Sequence, residues 1–216
     1  MGAVVAAGLV VYLHGDNKPS ETSTPGGTQV AAMAKAATAA GYAFALAVSP
    51  TSTWWMRGTA DQSVRTVAPQ TAALRSFLPA LAAEVGVRAS ELVIVGHSGG
   101  AEAITLHLAR TGVAWAGGRA RFVAIGGGTP NASHIIDTPA AFRAASPILF
   151  AGSSTGDGVG ATTAAGGAWS AWRSAQRGVA AYRRAGHKAR LWDTGAPSHN
   201  SYDFAGIIAQ ALKEMP

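Results

Sequence analysis

Six near-continuous apolar runs, separated by helix-like segments, limit most strongly what this chain can fold into. The runs span residues 6–15, 42–50, 91–98, 121–128, 147–154 and 189–195. Strands that are apolar along their whole length, rather than at every second residue, are typical of parallel sheets buried on both faces. The sequence therefore predicts a mostly parallel, six-stranded sheet.

The segments between the runs have the composition and spacing of helices. They cover roughly residues 26–40, 65–85, 99–111, 139–145, 166–185 and 203–214. Regular alternation of strand and helix predicts an α/β, doubly wound sheet flanked by helices and joined by right-handed crossovers. We find no internal repeat and no dividing linker, so residues 1–216 are interpreted as a single domain.

The charge pattern argues against several classes of protein. The net charge is +6, but the basic residues are spread along the chain, whereas nucleic-acid binders usually carry a basic patch. The loose basic group at 183–190 is interpreted as a solvated helix end. There are no cysteines, which excludes disulfides and a thiolate nucleophile. No apolar run reaches the roughly 18 residues of a membrane span, so neither a nucleic-acid partner nor a membrane span is predicted.

The low content of charged residues is informative about where in or outside the cell the protein is found. Charged residues make up 13% of the chain, against about 25% in typical soluble domains. This favours secretion over a cytoplasmic location. The apolar start of the chain is interpreted as a strand rather than a signal peptide, because it lacks a basic leader and ends in His14-Gly15. For the oligomeric state, we expect a monomer.

The third apolar run ends in the pentapeptide Gly96-His97-Ser98-Gly99-Gly100. Active sites of doubly wound sheets lie at the carboxyl ends of strands. A strand-to-helix turn that exposes Ser98 at its apex needs small residues two positions before and after it, which are Gly96 and Gly100. The turn is a G-x-S-x-G nucleophile elbow, in which the N–H of Gly99 faces any negative charge formed beside Ser98.

With these motifs, the chain resembles the α/β-hydrolase superfamily over nearly its whole length. The resemblance implies a serine hydrolase in which Ser98 is the nucleophile. It places the base at His199, between the last strand and the last helix, and the acid at Asp157, after the fifth strand. Serine needs such an imidazole to take its proton, and the imidazole needs a carboxylate to orient it.

Other residues compete for these roles. The remaining histidines are His14, His97, His107, His134 and His187. His97 is next to Ser98 but is expected to point away from the position of a base. For the acid, Asp137 and Asp193 are alternatives to Asp157.

An oxyanion hole requires two aligned N–H donors. Gly99 supplies one. The segment His14-Gly15-Asp16 resembles the superfamily's His-Gly-X oxyanion segment, which implies that the backbone N–H of Asp16 is the second donor, with Asn17 as the alternative.

Three aromatic residues are candidates for substrate binding. Of the adjacent Trp54 and Trp55, one is expected to pack under the loop and the other to line the cleft, although both could belong to the core. Tyr202 could border the pocket or anchor the last helix. Arg57 is a weaker candidate for contact with an acidic substrate.

The resemblance implies a carboxylic ester hydrolase. We find no metal-ligand cluster and no cofactor motif in the sequence, and Gly126-Gly127-Gly128 lacks the G-x-G-x-x-G spacing, so no metal and no cofactor are predicted. No segment between the fourth and fifth strands is long enough for a cap domain, which favours an open cleft and bulky or polymer-linked ester substrates. The polar loop Lys18–Gly27 could still cover the site. A thioesterase, a peptidase or an acyltransferase would use the same triad. A non-catalytic binding protein of the same fold is the remaining alternative.

Overall fold

A computed structural model of the chain describes residues 6–16, 24–51, 53–57, 65–67, 69–128, 138–157, 161–162 and 168–215. Its main sheet contains six strands, β1 (Gly8–Leu13), β2 (Tyr42–Ala47), β5 (Leu92–His97), β6 (Arg121–Ile125), β7 (Ile148–Gly152) and β10 (Ala189–Asp193). Every neighbouring pair is parallel, and the order is β10-β7-β6-β5-β1-β2. Each apolar run predicted as a strand forms one of these six strands.

Helices connect the strands. They are α1 (Thr28–Ala39), α2 (Pro69–Glu84), α3 (Gly99–Ala103), α4 (Ala109–Trp115), α5 (Ala140–Ala145), α6 (Ala171–Arg184) and α7 (Phe204–Glu214). A π-helical turn over Ile104–Leu108 joins α3 to α4, and a short 3₁₀ turn covers Ala89–Glu91. Alternating strands and helices with parallel pairing confirm the predicted α/β doubly wound fold.

The sequence analysis did not predict two short antiparallel hairpins. One pairs β3 (Trp55–Arg57) with β4 (Arg65–Val67), and the other pairs β8 (Ala161–Thr162) with β9 (Ala168–Trp169). The segment predicted as one helix over 65–85 therefore begins with a strand. Two or three residues of strand are too short for a periodic pattern to reveal.

Hydrophobic cores lie on both faces of the sheet. On β1, Leu9 and Val11 face the core that includes α2 and α6, while Val10 faces the core formed with α1 and α7. All three side chains are essentially inaccessible to solvent. Burial on both faces explains why the strands are apolar throughout, and it leaves the strand ends as the places where polar side chains gather. In the described part of the chain, no helix has both the length and the apolar character needed to cross a membrane.

Candidate active site

Ser98 lies at the junction between β5 and α3 and has an unusual backbone conformation. Its φ is 50° and its ψ is −110°, and it is the one non-glycine residue with a positive φ among those described. Its N–H donates to the carbonyl of Ile125 at 2.9 Å, and its own carbonyl accepts from Glu102 at 3.0 Å. The chain therefore holds Ser98 in a conformation that side chains normally avoid, as a nucleophile elbow requires.

The turn is tight because two glycines allow the backbones to approach each other. A Cβ on Gly96 would overlap the carbonyl group of Gly100, and a Cβ on Gly100 would overlap the carbonyl oxygen of Leu13 in β1. Both obstacles are backbone atoms, which cannot rotate away. The positions two before and two after Ser98 therefore accept only glycine in this geometry.

His199 and Asp157 form a hydrogen-bonded pair at the same end of the sheet. The Nδ1 atom of His199 lies 2.9 Å from Oδ1 and 3.0 Å from Oδ2 of Asp157. Asp157 is 3% exposed, whereas 28% of the His199 side chain is exposed. Because a carboxylate only accepts, Nδ1 carries the hydrogen, and the lone pair of neutral His199 is on Nε2. The structure therefore brings together the two residues that the resemblance implies as base and acid, which are 42 positions apart in the sequence.

The glycines after β6 lie between the turn that carries Ser98 and the loop that carries His199. A Cβ on Gly126 would lie 3.1 Å from Cε1 of His199 and 3.2 Å from Oδ2 of Asp157. A Cβ on Gly127 would lie 3.4 Å from the carbonyl oxygen of Ser98. Ser98, Asp157 and His199 therefore surround one glycine pair. The sequence analysis did not assign any role to these glycines, although their position at a strand end was a usable signal.

Tyr202 is behind the His199–Asp157 pair. Its hydroxyl donates to Oδ2 of Asp157, and the side chain is 2% exposed. Burial, followed by the hydrogen bond to Asp157, raises the pKa of Tyr202 well above its usual range, so the hydroxyl remains a donor. The sequence analysis left two roles open for Tyr202, a border of the pocket or an anchor of the last helix. It did not predict this hydrogen bond to Asp157.

The loop after β1 packs against the elbow. The carboxylate of Asp16 occupies the space into which a Cβ on Gly99 would point. His14 stabilises the loop on its other side, because its Nε2 accepts from the N–H of Ser49 at 2.9 Å and its carbonyl accepts from Nε1 of Trp54 at 2.9 Å. The two residues predicted as oxyanion donors, Gly99 and Asp16, are therefore adjacent.

Trp54 packs under this loop. It is 2% exposed, and its ring lies 5.3 Å from that of His14. It also forms one wall of an apolar cavity of about 510 Å³ beside β2, together with the half-exposed Val48 and Phe77. For Trp55 the structure describes only the backbone, so its predicted place in the cleft remains a prediction.

The other candidates lie elsewhere or outside the described residues. His187 is buried beside Ser146 at the opposite end of the sheet, and Asp193 accepts hydrogen bonds from Ser154. His107 lies on the π-helical turn. The predictions for Asn17, His134 and Asp137 and for the Arg57 side chain fall outside what the structure describes. Within the described ranges, no group of three His, Asp or Glu side chains could hold a metal ion.

No protein-family model matches the sequence, and no curated protein matches it. Several solved structures do match this chain. Esterase PE8 superposes with a TM-score of 0.66 at 18% identity, covering 100% of this chain and 97% of that chain. SOBER1 of Arabidopsis thaliana gives a TM-score of 0.64 at 13% identity, covering 96% and 98%. A phospholipase/carboxylesterase from Dyadobacter fermentans gives 0.60 at 15% identity, covering 99% and 93%. These similarities show that the chain has the α/β-hydrolase fold.

Proposed function

We propose that this protein is a carboxylic ester hydrolase with Ser98, His199 and Asp157 as its catalytic triad. The observation that carries the proposal is the strained backbone of Ser98 at the end of β5, close to a histidine whose Nδ1 is held by a buried carboxylate. The names of the structural neighbours, an esterase and a phospholipase/carboxylesterase among them, point to the same bond type.

The triad divides hydrolysis into two steps. In the first, Oγ of Ser98 attacks the ester carbonyl carbon while its proton moves to Nε2 of His199. The same proton then passes to the departing alcohol, and the acyl group remains on Ser98. In the second step, water gives a proton to Nε2 and attacks the acyl-enzyme, which releases the acid and restores the Ser98 hydroxyl. Asp157 keeps the His199 ring in the required tautomer throughout.

Two backbone N–H groups, those of Gly99 and Asp16, are proposed to stabilise the tetrahedral oxyanion. The support for this assignment is that the two residues are neighbours in space, in a contact made by the Asp16 carboxylate with Gly99, and donors to one oxygen must lie side by side. Asp16 is proposed to act through its backbone N–H. Its carboxylate lies beside Gly99 and would oppose an oxyanion there, so the side chain must turn away when the ester binds.

The proposal extends to the size of the ester that the site accepts. Only 14 residues, 126–139, separate β6 from α5, which is too few for a helical cap over the site. An uncapped cleft suits bulky or polymer-linked esters. A thioester, a peptide bond or a second acyl acceptor would use the same triad, and no observed contact favours one of these.

A p-nitrophenyl ester series from acetate to palmitate tests the proposal. Wild type should hydrolyse at least one ester, and Ser98→Ala should reduce kcat on the order of 10³-fold or more. Ser76→Ala, an exposed serine on α2, is the matched control and should retain full activity. A fluorophosphonate should label wild type on Ser98 and leave Ser98→Ala unlabelled.

The series also separates the alternatives. Retained turnover in Ser98→Ala would remove Ser98 as the nucleophile. Fluorophosphonate labelling without turnover of any ester would move the proposal towards a thioester or peptide substrate. If neither turnover nor labelling occurs, the fold serves binding rather than catalysis.

A further inference from the structure

His97 lies between the nucleophile and the base in an arrangement that the triad does not explain. It is the last residue of β5, directly before Ser98, and it is 3% exposed. Its Nε2 lies 2.9 Å from the backbone carbonyl oxygen of His199. Because a carbonyl only accepts, Nε2 must donate, which fixes the tautomer of neutral His97. The bond spans 102 positions of sequence.

Aromatic contacts fix the orientation of the His97 ring. Its centroid lies 4.9 Å from that of His199 with a tilt of 36°, and 5.0 Å from that of Phe204 in an edge-on contact. Tyr202 packs edge-on at 6.0 Å. A Cβ on Gly15 would lie 2.9 Å from Nδ1, so the ring also faces the loop after β1. A ring packed on all these sides has a single orientation for its Nε2 hydrogen.

The His199 backbone needs such a contact. Residues 194–203, between β10 and α7, contain no helix or strand to hold His199 in place. Asp157 fixes the imidazole ring at Nδ1, and His97 fixes the main chain of the same residue at its carbonyl. One residue is therefore held at both its side chain and its backbone.

We propose that His97 is a positioning residue, which joins the backbone of the base to the backbone of the nucleophile. His97 shares a peptide bond with Ser98, so losing its hydrogen bond to His199 would let the acceptor of the first proton transfer move relative to the donor. Proton transfer requires heavy-atom distances near 2.6–3.2 Å, and misplacement by about 1 Å can cost 10²-fold in rate. This inference rests on the proposed function, and it assigns a role that the triad leaves open.

Two substitutions separate donation from packing. His97→Phe retains an aromatic ring against Phe204 and removes the donor. His97→Gln places an amide N–H close to the position of Nε2 and removes the ring. We expect His97→Phe to lower kcat at least tenfold with KM changed less than twofold, and His97→Gln to recover kcat to within threefold of wild type.

The matched control is His187→Phe. His187 is also a buried histidine bound to a backbone carbonyl, with Nδ1 3.1 Å from the oxygen of Ser146, and it also packs edge-on against aromatic rings. It lies at the far end of the sheet. His187→Phe and His97→Phe should lose similar stability in urea unfolding, but His187→Phe should retain the kcat of wild type.

The possible outcomes are distinct. If wild type and His97→Phe have equal kcat, or if His187→Phe loses as much kcat as His97→Phe, His97 has only a packing role. If His97→Gln is as slow as His97→Phe, the hydrogen bond donated by residue 97 does not determine kcat, and the proposal fails. If wild type neither hydrolyses esters nor reacts with a fluorophosphonate, the proposed function fails, and His97 then has no base to position.

Discussion

The hydroxyl of Tyr202 donates to the same carboxylate of Asp157 that receives Nδ1 of His199. Asp157 is almost fully buried, so these two donors contribute to stabilising its negative charge. A buried carboxylate with two donors has one preferred orientation, whereas a carboxylate with one donor can rotate. The proposed triad thus depends on a fourth side chain, which is three residues after the histidine.

Tyr202→Phe should lower kcat about tenfold and destabilise the fold by about 1.5–3 kcal/mol, because a hydrogen bond to a buried charged group is lost. Steady-state ester hydrolysis and urea unfolding measure the two effects. Tyr182→Phe is the control, since the Tyr182 hydroxyl is also buried and donates to the carbonyl of Thr105. The control should lose about 1 kcal/mol and no kcat. An unchanged kcat in Tyr202→Phe would mean that the Tyr202 hydroxyl is not needed to orient Asp157.

Asp157→Asn should lower kcat on the order of 10⁴-fold, because an amide can stabilise the wrong tautomer of His199. Asp193→Asn is the matched control. Asp193 is on the neighbouring strand end and accepts hydrogen bonds from Ser154 and Gly195 at the surface. Rates near wild type for Asp157→Asn, with a large loss in Asp137→Asn, would transfer the acid role to Asp137.

Gly96→Ala should destabilise the protein by about 3 kcal/mol or more, because its Cβ would overlap the backbone of Gly100. Gly127→Ala is the matched substitution in the same region. Among the described residues that are not adjacent to it in the chain, its Cβ would meet none closer than 3.4 Å, an ordinary contact, so the loss should stay within about 1 kcal/mol. Urea unfolding midpoints compare the two variants, and equal midpoints would show that the elbow can relax.

Acid should destabilise the fold through His107. Burial, and then the nearby Arg75 and Arg110, lower its pKa from 6.5 to about 4. Below pH 6.5 the unfolded chain therefore takes up a proton at His107 that the folded chain does not. Stability falls until about pH 4, by about 1–2 kcal/mol, because solvent screens this partly exposed ring. His107→Gln, which cannot be protonated, should show a shallower loss between pH 7 and pH 4.5 in urea unfolding. Parallel curves for the two proteins would contradict the assignment to His107.

Local sequence pattern was sufficient for the sheet and for the elbow. The six apolar runs became six parallel strands because burial on both faces leaves a signal in every residue of a strand. The elbow is recognisable because Gly96 and Gly100 are required by backbone contacts within a few residues of Ser98.

Contacts across long stretches of sequence could not be predicted in the same way. The bond from His97 to His199 and the bond from Tyr202 to Asp157 depend on how loops from different strands meet. The hydrophobic periodicity of a sequence does not predict which loop residues come into contact. The sequence analysis expected the His97 ring to point away from the position of a base, but the residues against which the ring packs follow only from the assembled sheet.

If Ser98 is the nucleophile, as proposed, its conformation favours catalysis at a cost in thermodynamic stability. A non-glycine residue at φ 50° and ψ −110° costs on the order of 1–3 kcal/mol, which the rest of the fold must offset. Ser98→Gly and Ser98→Ala both lack the hydroxyl, but only glycine adopts this conformation without strain. We therefore expect Ser98→Gly to unfold at a higher urea concentration than Ser98→Ala. The difference between them measures how much folding free energy the protein gives up to present a side chain at this position.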